Sequence, residues 1–339
     1  MTIPVLLSLR RNNPDTELLF ITKSHFAPIL ERIPDLRVVP FYDKGIHKGF
    51  AGLWRLRNQL GKESLDGVAD LHAVLRTSTL RALFLGTGIS FKALHKGRME
   101  KRRLTAGRKK DFRPLKSTHE RYADVFRGLG YPVTLSGEDI LPKEEWPKSL
   151  SREWGQNVSC RLGIAPFAAY QEKCYPEEAM KKVLELLGEV PGLRVYLFGG
   201  GPGEAEMLHA WERLYAHCFS VAGIRTLSEE LSVISNLDLM LGMDSANGHL
   251  AAMYGVPVIT VWGVTHPYAG FTPFLQPEEN SITVDRKQFP RVPTSVYGNK
   301  VPPGYENVMD SIPPERIYNR ILQVLGQNGI NVPDSGTSI

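Results

Sequence analysis

An aspartate, a serine and a histidine follow an apolar run of strand length in the second half of the chain. Residues 237–243, which are apolar except for Asp238, lead into Asp244-Ser245. Small residues and His249 follow, and a second apolar run begins at Val258. This order predicts a strand, a turn, a helix and a second strand, which is the βαβ piece of an open parallel sheet. Ligands of such sheets lie beyond the carboxyl ends of the strands, where this turn falls.

The start of the predicted helix offers hydrogen-bond donors that suit an anion. The side chain of Asp244 or Ser245 can cap the helix. The free N–H groups of the next residues, Ala246, Asn247 and Gly248, can then bind a phosphate. The alternative is an ordinary capped helix in an α/β core, and the residue pattern alone leaves both interpretations open.

The same stretch resembles the donor-binding signature of glycosyltransferase family 9, the ADP-heptose:lipopolysaccharide heptosyltransferases. The match is Asp-Ser-x-x-x-His-Leu-Ala-Ala followed by Gly-x-Pro-Val-Ile-x-x-x-Gly-x-Thr-x-Pro, over positions 244–267. The family usually has glycine after Asp-Ser, where the methyl group of Ala246 reduces the clearance for a phosphate oxygen. The resemblance implies two Rossmann-like doubly wound α/β domains (the GT-B fold). It also implies inverting transfer of a heptose from ADP-heptose to a lipopolysaccharide inner-core or related glycan.

The resemblance also implies donor contacts in other loops. Lys173 takes the position of the lysine that contacts the donor pyrophosphate, and Thr265 belongs to the matched signature. Glu204 and Glu206 are candidates for the ribose hydroxyls, and backbone groups near Arg225 would contact the base. Without the resemblance, Lys173 is a surface charge.

Two other classes of function receive less support from these motifs. The glycine run at 199–201 lacks a P-loop ending and a dinucleotide fingerprint, which weighs against a nicotinamide oxidoreductase. His249 and His266 could bind a metal, but no carboxylate or cysteine completes a set at ligand spacing. The sequence therefore predicts a site without metal or cofactor.

The first part of the chain alternates strand-like and helix-like segments, which indicates a doubly wound domain. It opens with a helix-like segment, residues 2–13, where such a domain should open with a strand. By the resemblance, a strand and a Gly-Asp loop carrying the general base precede this helix, so the base would lie upstream of Met1. We expect a truncated gene product or, alternatively, a non-catalytic nucleotide-sugar-binding protein. Asp70 and His72 are weak substitutes, each more readily structural.

Length and composition agree with a soluble two-domain protein. The chain has 339 residues and a formal net charge of +5. No apolar run has the length of a membrane span, no secretory signal is visible, and three distant cysteines fit reduced thiols. We predict a cytoplasmic protein, at most peripheral at the inner face of the membrane. The predicted segments are an acceptor-side domain (1–135), a linker (136–157), a nucleotide-sugar-binding domain (158–312), a helix (313–326) and a loose tail (327–339).

Basic residues are concentrated between Lys92 and Lys116. Such a run is usually a solvated surface segment. Alternatively, it raises encounter rates with an anionic acceptor, and the resemblance favours an anionic glycolipid. Phe112 is the only aromatic side chain placed among these charges to stack on a base, so nucleic-acid binding is not predicted.

Overall fold

The chain divides into two compact units in the computed structural model. The residues described are 1–107, 109–148, 150, 154, 158–223 and 226–332. The first unit comprises Met1–Gly97 and Lys116–Leu141, and the second comprises Arg98–Leu115 and Pro142–Ile339. The domain bounds predicted from the sequence (1–135 and 158–312) stay a prediction, and they differ from this division in the segment 98–115.

The first unit contains short parallel strands and helices. Its strands are β1 (Leu18–Lys23), β2 (Leu36–Phe41), β3 (Gly67–Asp70) and β4 (Ser90–Ala93). Its helices are α1 (Ile3–Asn12), α2 (Ala27–Leu30), α3 (Gly49–Leu60), α4 (Leu75–Leu83) and, beyond α5 (Arg98–Leu104) of the second unit, α6 (Thr118–Arg127). Strand β1 pairs with β2, and β3 pairs with β4. The described strands therefore form two parallel pairs rather than one continuous sheet.

The second unit is built on a six-stranded sheet in which every pairing is parallel. Its strands are β5 (Cys160–Ala165), β6 (Leu193–Leu197), β7 (Cys218–Ser220), β8 (Leu239–Met243), β9 (Val258–Trp262) and β10 (Ser281–Thr283). Its helices after α5 are α7 (Glu177–Gly188), α8 (Pro202–Leu214), α9 (Leu227–Ser235), α10 (Ala246–Ala252) and α11 (Pro314–Gln327). Every residue of β8 and β9 is buried, as expected of apolar strands covered on both faces.

The strand order places a change of direction in the middle of this sheet. The order is β10-β9-β8-β5-β6-β7, so the chain runs outward from β5 to β7 and then returns to β8 on the other side. Ala165 at the end of β5 lies opposite Gly242 near the end of β8. The loops that follow these two neighbouring strands diverge here, at the topological switch point where open α/β sheets bind ligands.

Part of the predicted linker is tied to the second unit. The Glu144 carbonyl oxygen accepts a hydrogen bond from Asn236 Nδ2 (2.9 Å), and its carboxylate accepts one from Ser232 Oγ (2.7 Å). The Tyr254 hydroxyl donates to the same carboxylate.

A bilayer-crossing helix, which requires about twenty apolar residues, is not found among the residues described.

Several elements were not predicted from the sequence. Helix α8 begins at Pro202, inside the stretch interpreted as a glycine loop, because proline is well tolerated in the first turn of a helix. Strand β4 was missed because it contains no apolar run, and most of its residues are exposed. Strands β7 and β10 have three residues each, too few to show a period.

Candidate functional site

A largely buried ion pair spans the switch point of the six-stranded sheet. Lys173 Nζ lies 2.8 Å from Asp244 Oδ2, and the two side chains are 10% and 11% exposed. Lys173 belongs to the loop after β5, and Asp244 directly follows β8. The fold thus brings together two predicted site residues that are far apart in the sequence. Each charge needs the other here, because an unpaired charge with so little water around it is strongly unfavourable.

The loop that carries Lys173 is held by local contacts. Lys173 ends a short 3₁₀ helix that begins at Gln171. The Ala168 N–H donates to Cys174 Sγ (3.2 Å), and the Tyr175 hydroxyl donates to the Ile312 carbonyl oxygen (2.6 Å). Burial raises the pKa of the Cys174 thiol, so this sulfur remains a neutral hydrogen-bonding group. The lysine therefore extends from an anchored loop.

Two glycines allow backbone to pack directly on this loop. A Cβ at Gly263 would lie 2.6 Å from the Glu172 carbonyl oxygen. A Cβ at Gly298 would lie 2.5 Å from Lys173 Cδ, and φ at Gly298 is +85°. The Gly298 N–H donates to the buried Ser295 Oγ (2.9 Å). Sequence reasoning missed Gly298, because neither motif nor spacing distinguishes it within an irregular Pro-rich segment.

The turn after β8 differs from its prediction in one respect. Within the described residues, neither predicted side-chain cap of α10 forms. Ser245 is the N-cap residue but makes no capping bond, and Asp244 is paired with Lys173 instead. Both partners of this ion pair are charged, whereas a capping bond would join the carboxylate to a neutral N–H group.

Two hydroxyl groups close to this turn are buried without a hydrogen-bond partner in the described part of the chain. They are Ser245 Oγ and Thr265 Oγ1. Thr265 follows β9, the strand next to β8. Buried polar atoms almost always have partners. These two groups are therefore suited to bind a polar ligand at the carboxyl edge of the sheet.

The remaining residues of the predicted anion site have different environments. Ala246 is exposed, whereas Asn247 and His249 are half-buried. A Cβ at Gly248 would lie 3.2 Å from Val258 Cγ1 and 3.3 Å from Pro273 Cγ. The Cα of Gly248 therefore faces the packed interior, and a larger side chain would press against β9.

The predicted ribose contacts, Glu204 and Glu206, lie in the first turns of α8, which follows β6. The Glu204 carboxylate accepts a hydrogen bond from the Gly200 N–H (2.6 Å) and so stabilises the glycine loop. Glu206, two residues further along α8, is exposed. Arg225 lies outside the described residues.

The two weak candidates for a base lie in the first unit. Asp70 is buried at the end of β3, and its Oδ1 accepts hydrogen bonds from the N–H groups of His72 (3.0 Å) and Ala73 (2.8 Å). This carboxylate holds the turn, a structural role. The His72 side chain is exposed.

Part of the basic segment is packed rather than solvated. Phe112 lies against His266, with ring centroids 4.9 Å apart, and the Arg286 guanidinium lies 3.3 Å from the Phe112 ring centroid. Lys110 Nζ donates to the carbonyl oxygens of Arg291 and Pro293, both at 2.7 Å. Burial, with repulsion from Arg286 and Arg291, lowers the pKa of Lys110 to about 8. The solvated alternative therefore does not describe Lys110 and Phe112, which pack within the second unit.

His266, considered in the sequence as a possible metal ligand, is a buried neutral side chain. Burial, together with the charges of Arg286 and Lys110, lowers its pKa to about 4. Its Nδ1 accepts a hydrogen bond from the Tyr268 N–H (3.2 Å). Among the residues that the structure describes, no three His, Cys, Asp or Glu side chains are grouped to hold a metal ion.

The parallel α/β units are those of GT-B glycosyltransferases, as predicted. A family model, glycosyltransferase family 9 (heptosyltransferase), matches residues 53–301. The chain therefore belongs to this family and is a glycosyltransferase, which confirms the family predicted from the sequence.

Individual relatives agree with this assignment. The chain is 25% identical to the lipopolysaccharide core heptosyltransferase OpsX of Haemophilus influenzae, over 78% of this chain and 75% of that protein. A family 9 glycosyl transferase from Veillonella parvula superposes with a TM-score of 0.70 at 19% identity, covering 96% and 93% of the two chains. The E. coli heptosyltransferase WaaC with ADP superposes with a TM-score of 0.66 at 17% identity, covering 95% of each chain.

Proposed function

We propose that this glycosyltransferase moves a heptose from ADP-heptose to a hydroxyl of a lipopolysaccharide inner-core or related glycan, with inversion and without a metal ion. The observation that carries the proposal is the Lys173–Asp244 ion pair at the switch point. The name of the H. influenzae relative supports the reaction, and the ADP in the WaaC structure supports the nucleotide.

The proposed chemistry depends on charge at the leaving diphosphate. As the sugar departs, negative charge develops on the terminal phosphate, and a positioned cation stabilises it. Lys173 is the proposed cation. Asp244 holds the ammonium group in place rather than contacting phosphate, because a carboxylate repels a diphosphate. The Lys173 stem lies against Gly298, which limits the positions that Nζ can take.

Neutral donors complete the proposed diphosphate site. The hydroxyls of Ser245 and Thr265 are buried and can donate to phosphate oxygens. The N–H groups at Ala246 to Gly248 and the imidazole of His249 are proposed to assist. Glu204 or Glu206 would accept from the ribose hydroxyls, and the segment near Arg225 would contact the base.

The proposed acceptor is an anionic glycolipid at a membrane surface. Lysines and arginines around residues 92–116 would attract its phosphate or carboxylate groups. Several of these residues are exposed, including Arg98, Arg102 and Arg103. This acceptor places the enzyme, in the proposal, at the inner face of the cytoplasmic membrane.

Calorimetry and a transfer assay together test the proposal. ADP should bind in excess EDTA, and ADP-heptose with a core acceptor should yield a heptosylated product of inverted anomeric configuration. Complete loss of ADP binding on chelation would contradict the metal-independent site. ADP binding without any transfer would instead indicate a nucleotide-sugar-binding protein.

A further inference from the structure

Two arginines lie side by side on one face of the six-stranded sheet, near the amino ends of its strands. Arg161 of β5 pairs in register with Arg194 of β6. The next residues along the two strands, Leu162 and Val195, belong to the hydrophobic core. Since side chains alternate between the two faces of a strand, both arginines extend from the opposite face. We call Arg161 and Arg194 the arginine pair.

Aromatic rings hold both members of the arginine pair. The Arg161 Cζ atom lies 5.4 Å from the ring centroid of Trp146, and the Arg194 Cζ atom lies 5.7 Å from that of Phe219. The buried ring of Tyr196 contacts both aromatic side chains, with centroids 5.5 Å from Trp146 and 6.1 Å from Phe219. Stacking of this kind orients a guanidinium group but leaves its N–H donors unused. Both arginines are half-buried, so these contacts limit their movement into water.

Three N–H donors in this group are buried and lack a hydrogen-bond partner within the described ranges of the chain. They are Arg161 Nε, Arg194 Nε and Trp146 Nε1. Arginine and tryptophan side chains can only donate hydrogen bonds, so these groups cannot satisfy one another. Buried polar atoms almost always have a partner. A ligand that satisfies this group must therefore supply acceptor atoms.

The two positive charges are also uncompensated by the described residues. No described carboxylate lies within the 4.0 Å ion-pair distance of either guanidinium group. Asp238 is close, but its Oδ2 accepts a hydrogen bond from the Arg161 backbone N–H (2.7 Å). Burial raises the pKa of Tyr196 to about 12 although both arginines oppose this rise, so the phenol is neutral. Two half-buried like charges on neighbouring strands are unfavourable without a counter-charge.

We infer that the arginine pair binds a phosphate group, supplied by inorganic phosphate or by a small phosphate monoester. A phosphate dianion matches two positive charges, and its oxygens accept hydrogen bonds from guanidinium groups in a favourable geometry. A carboxylate accepts similar bonds but carries a single negative charge. The inference goes beyond sugar transfer, because the proposed donor site lies at the carboxyl edge of the same sheet and the arginine pair lies near the amino edge.

Calorimetry with inorganic phosphate tests the inference on the full chain, at constant ionic strength and with and without saturating ADP. We expect phosphate to bind the wild type in both conditions. Arg194→Gln should weaken this binding by about tenfold or more, the value of a lost hydrogen bond to a charged group. Arg213→Gln, at an exposed arginine of α8, is the matched control and should bind like the wild type. The variants decide the inference even without ADP, so it fails separately from the proposed function.

A second ligand distinguishes the two sources of phosphate. Glucose 6-phosphate carries the same dianionic group on a sugar. Tighter binding of this monoester than of inorganic phosphate would support a site for phosphorylated metabolites, and weaker binding would support a site for the free ion. Both should depend on Arg194 in the same way.

A conservative variant and a stability measurement complete the test. Arg194→Lys keeps the positive charge but lacks the planar fork of donors, so it should weaken phosphate binding severalfold, less than Arg194→Gln. Phosphate should raise the unfolding temperature of the wild type but not that of Arg161→Gln/Arg194→Gln. Circular dichroism reports whether each variant is folded, and Arg194→Lys decides the test if Arg194→Gln is not. Unchanged phosphate binding in a folded Arg194 variant, or complete displacement of phosphate by ADP, would overturn the inference.

Discussion

The two units are predicted by the same alternation of strands and helices, yet they bury their strands differently. All five residues of β8 and of β9 are buried, whereas β1 has no fully buried residue. Both β8 and β9 lie between two neighbouring strands, while each strand of the first unit has a single partner. Burial on both faces therefore depends on the helices that pack on the sheet, such as α10 and α11 on β8, rather than on the alternation itself.

This difference extends to the functional surfaces. Loops that leave the buried sheet of the second unit hold a mostly desolvated ion pair, which suits a specific small ligand. In the first unit, the carboxylate at the end of a strand, Asp70, accepts backbone hydrogen bonds and holds a turn. The following predictions test this contrast, beginning with the largest expected effect.

Truncation of a core leucine should cost far more stability in the second unit than in the first. Leu241 in β8 is fully buried, and Leu241→Ala should lower the free energy of unfolding by about 2–5 kcal/mol. The matched variant Leu19→Ala removes a half-buried leucine of β1 and should cost less than half as much. Urea titration gives the change, and hydrogen exchange assigns it to a unit. Equal costs would show that the two cores are equally packed.

Acid should destabilise the second unit through His266. Its folded pKa is about 4, below the ordinary 6.5, so below pH 6.5 the unfolded chain binds a proton that the folded chain excludes. Stability is therefore lost as the pH falls from 6.5 to 4, by up to about 3 kcal/mol. His266→Asn retains an acceptor for the Tyr268 N–H but does not titrate. Identical pH dependence of the two proteins in urea titrations would contradict a buried neutral His266.

Removal of the site lysine should discriminate between nucleotides. Lys173→Ala should weaken ADP binding by about 1.5–3 kcal/mol, the value of a hydrogen bond to a charged group. AMP binding should change less, because AMP lacks the terminal phosphate. Calorimetry with both nucleotides measures the difference, and Lys287→Ala, at an exposed lysine, is the control. Equal loss for ADP and AMP would place Lys173 away from the terminal phosphate.

A methyl group at Gly298 should have a smaller effect on the same site. Gly298→Ala should displace the Lys173 side chain and weaken ADP binding by about tenfold or less. Gly304→Ala is matched, because Gly304 also has positive φ (+82°) but nothing within 4 Å of the added methyl group. In a Lys173→Ala background, Gly298→Ala should have no further effect on ADP binding. Additive losses in the double variant would mean that Gly298 acts independently of Lys173.

Elements with strong local patterns could be predicted from the sequence alone. The second strand was predicted to begin at Val258, where β9 begins, because a run of bulky apolar residues after Gly255 leaves few alternatives. The helix predicted at 313–326 forms as α11 (Pro314–Gln327), where an apolar stripe at helical spacing follows proline. The family was also visible in the sequence, since its signature is continuous over positions 244–267.

Contacts between residues far apart in the sequence became visible in the fold alone. The ion pair of Lys173 with Asp244 depends on strand order, because β5 and β8 are neighbours in space although two strands separate them in the chain. The contact of Gly298 with the lysine stem and the packing of Phe112 under Arg286 likewise join distant segments. Local patterns report local energies, whereas these contacts arise from the packing of whole elements, which no short stretch of sequence encodes.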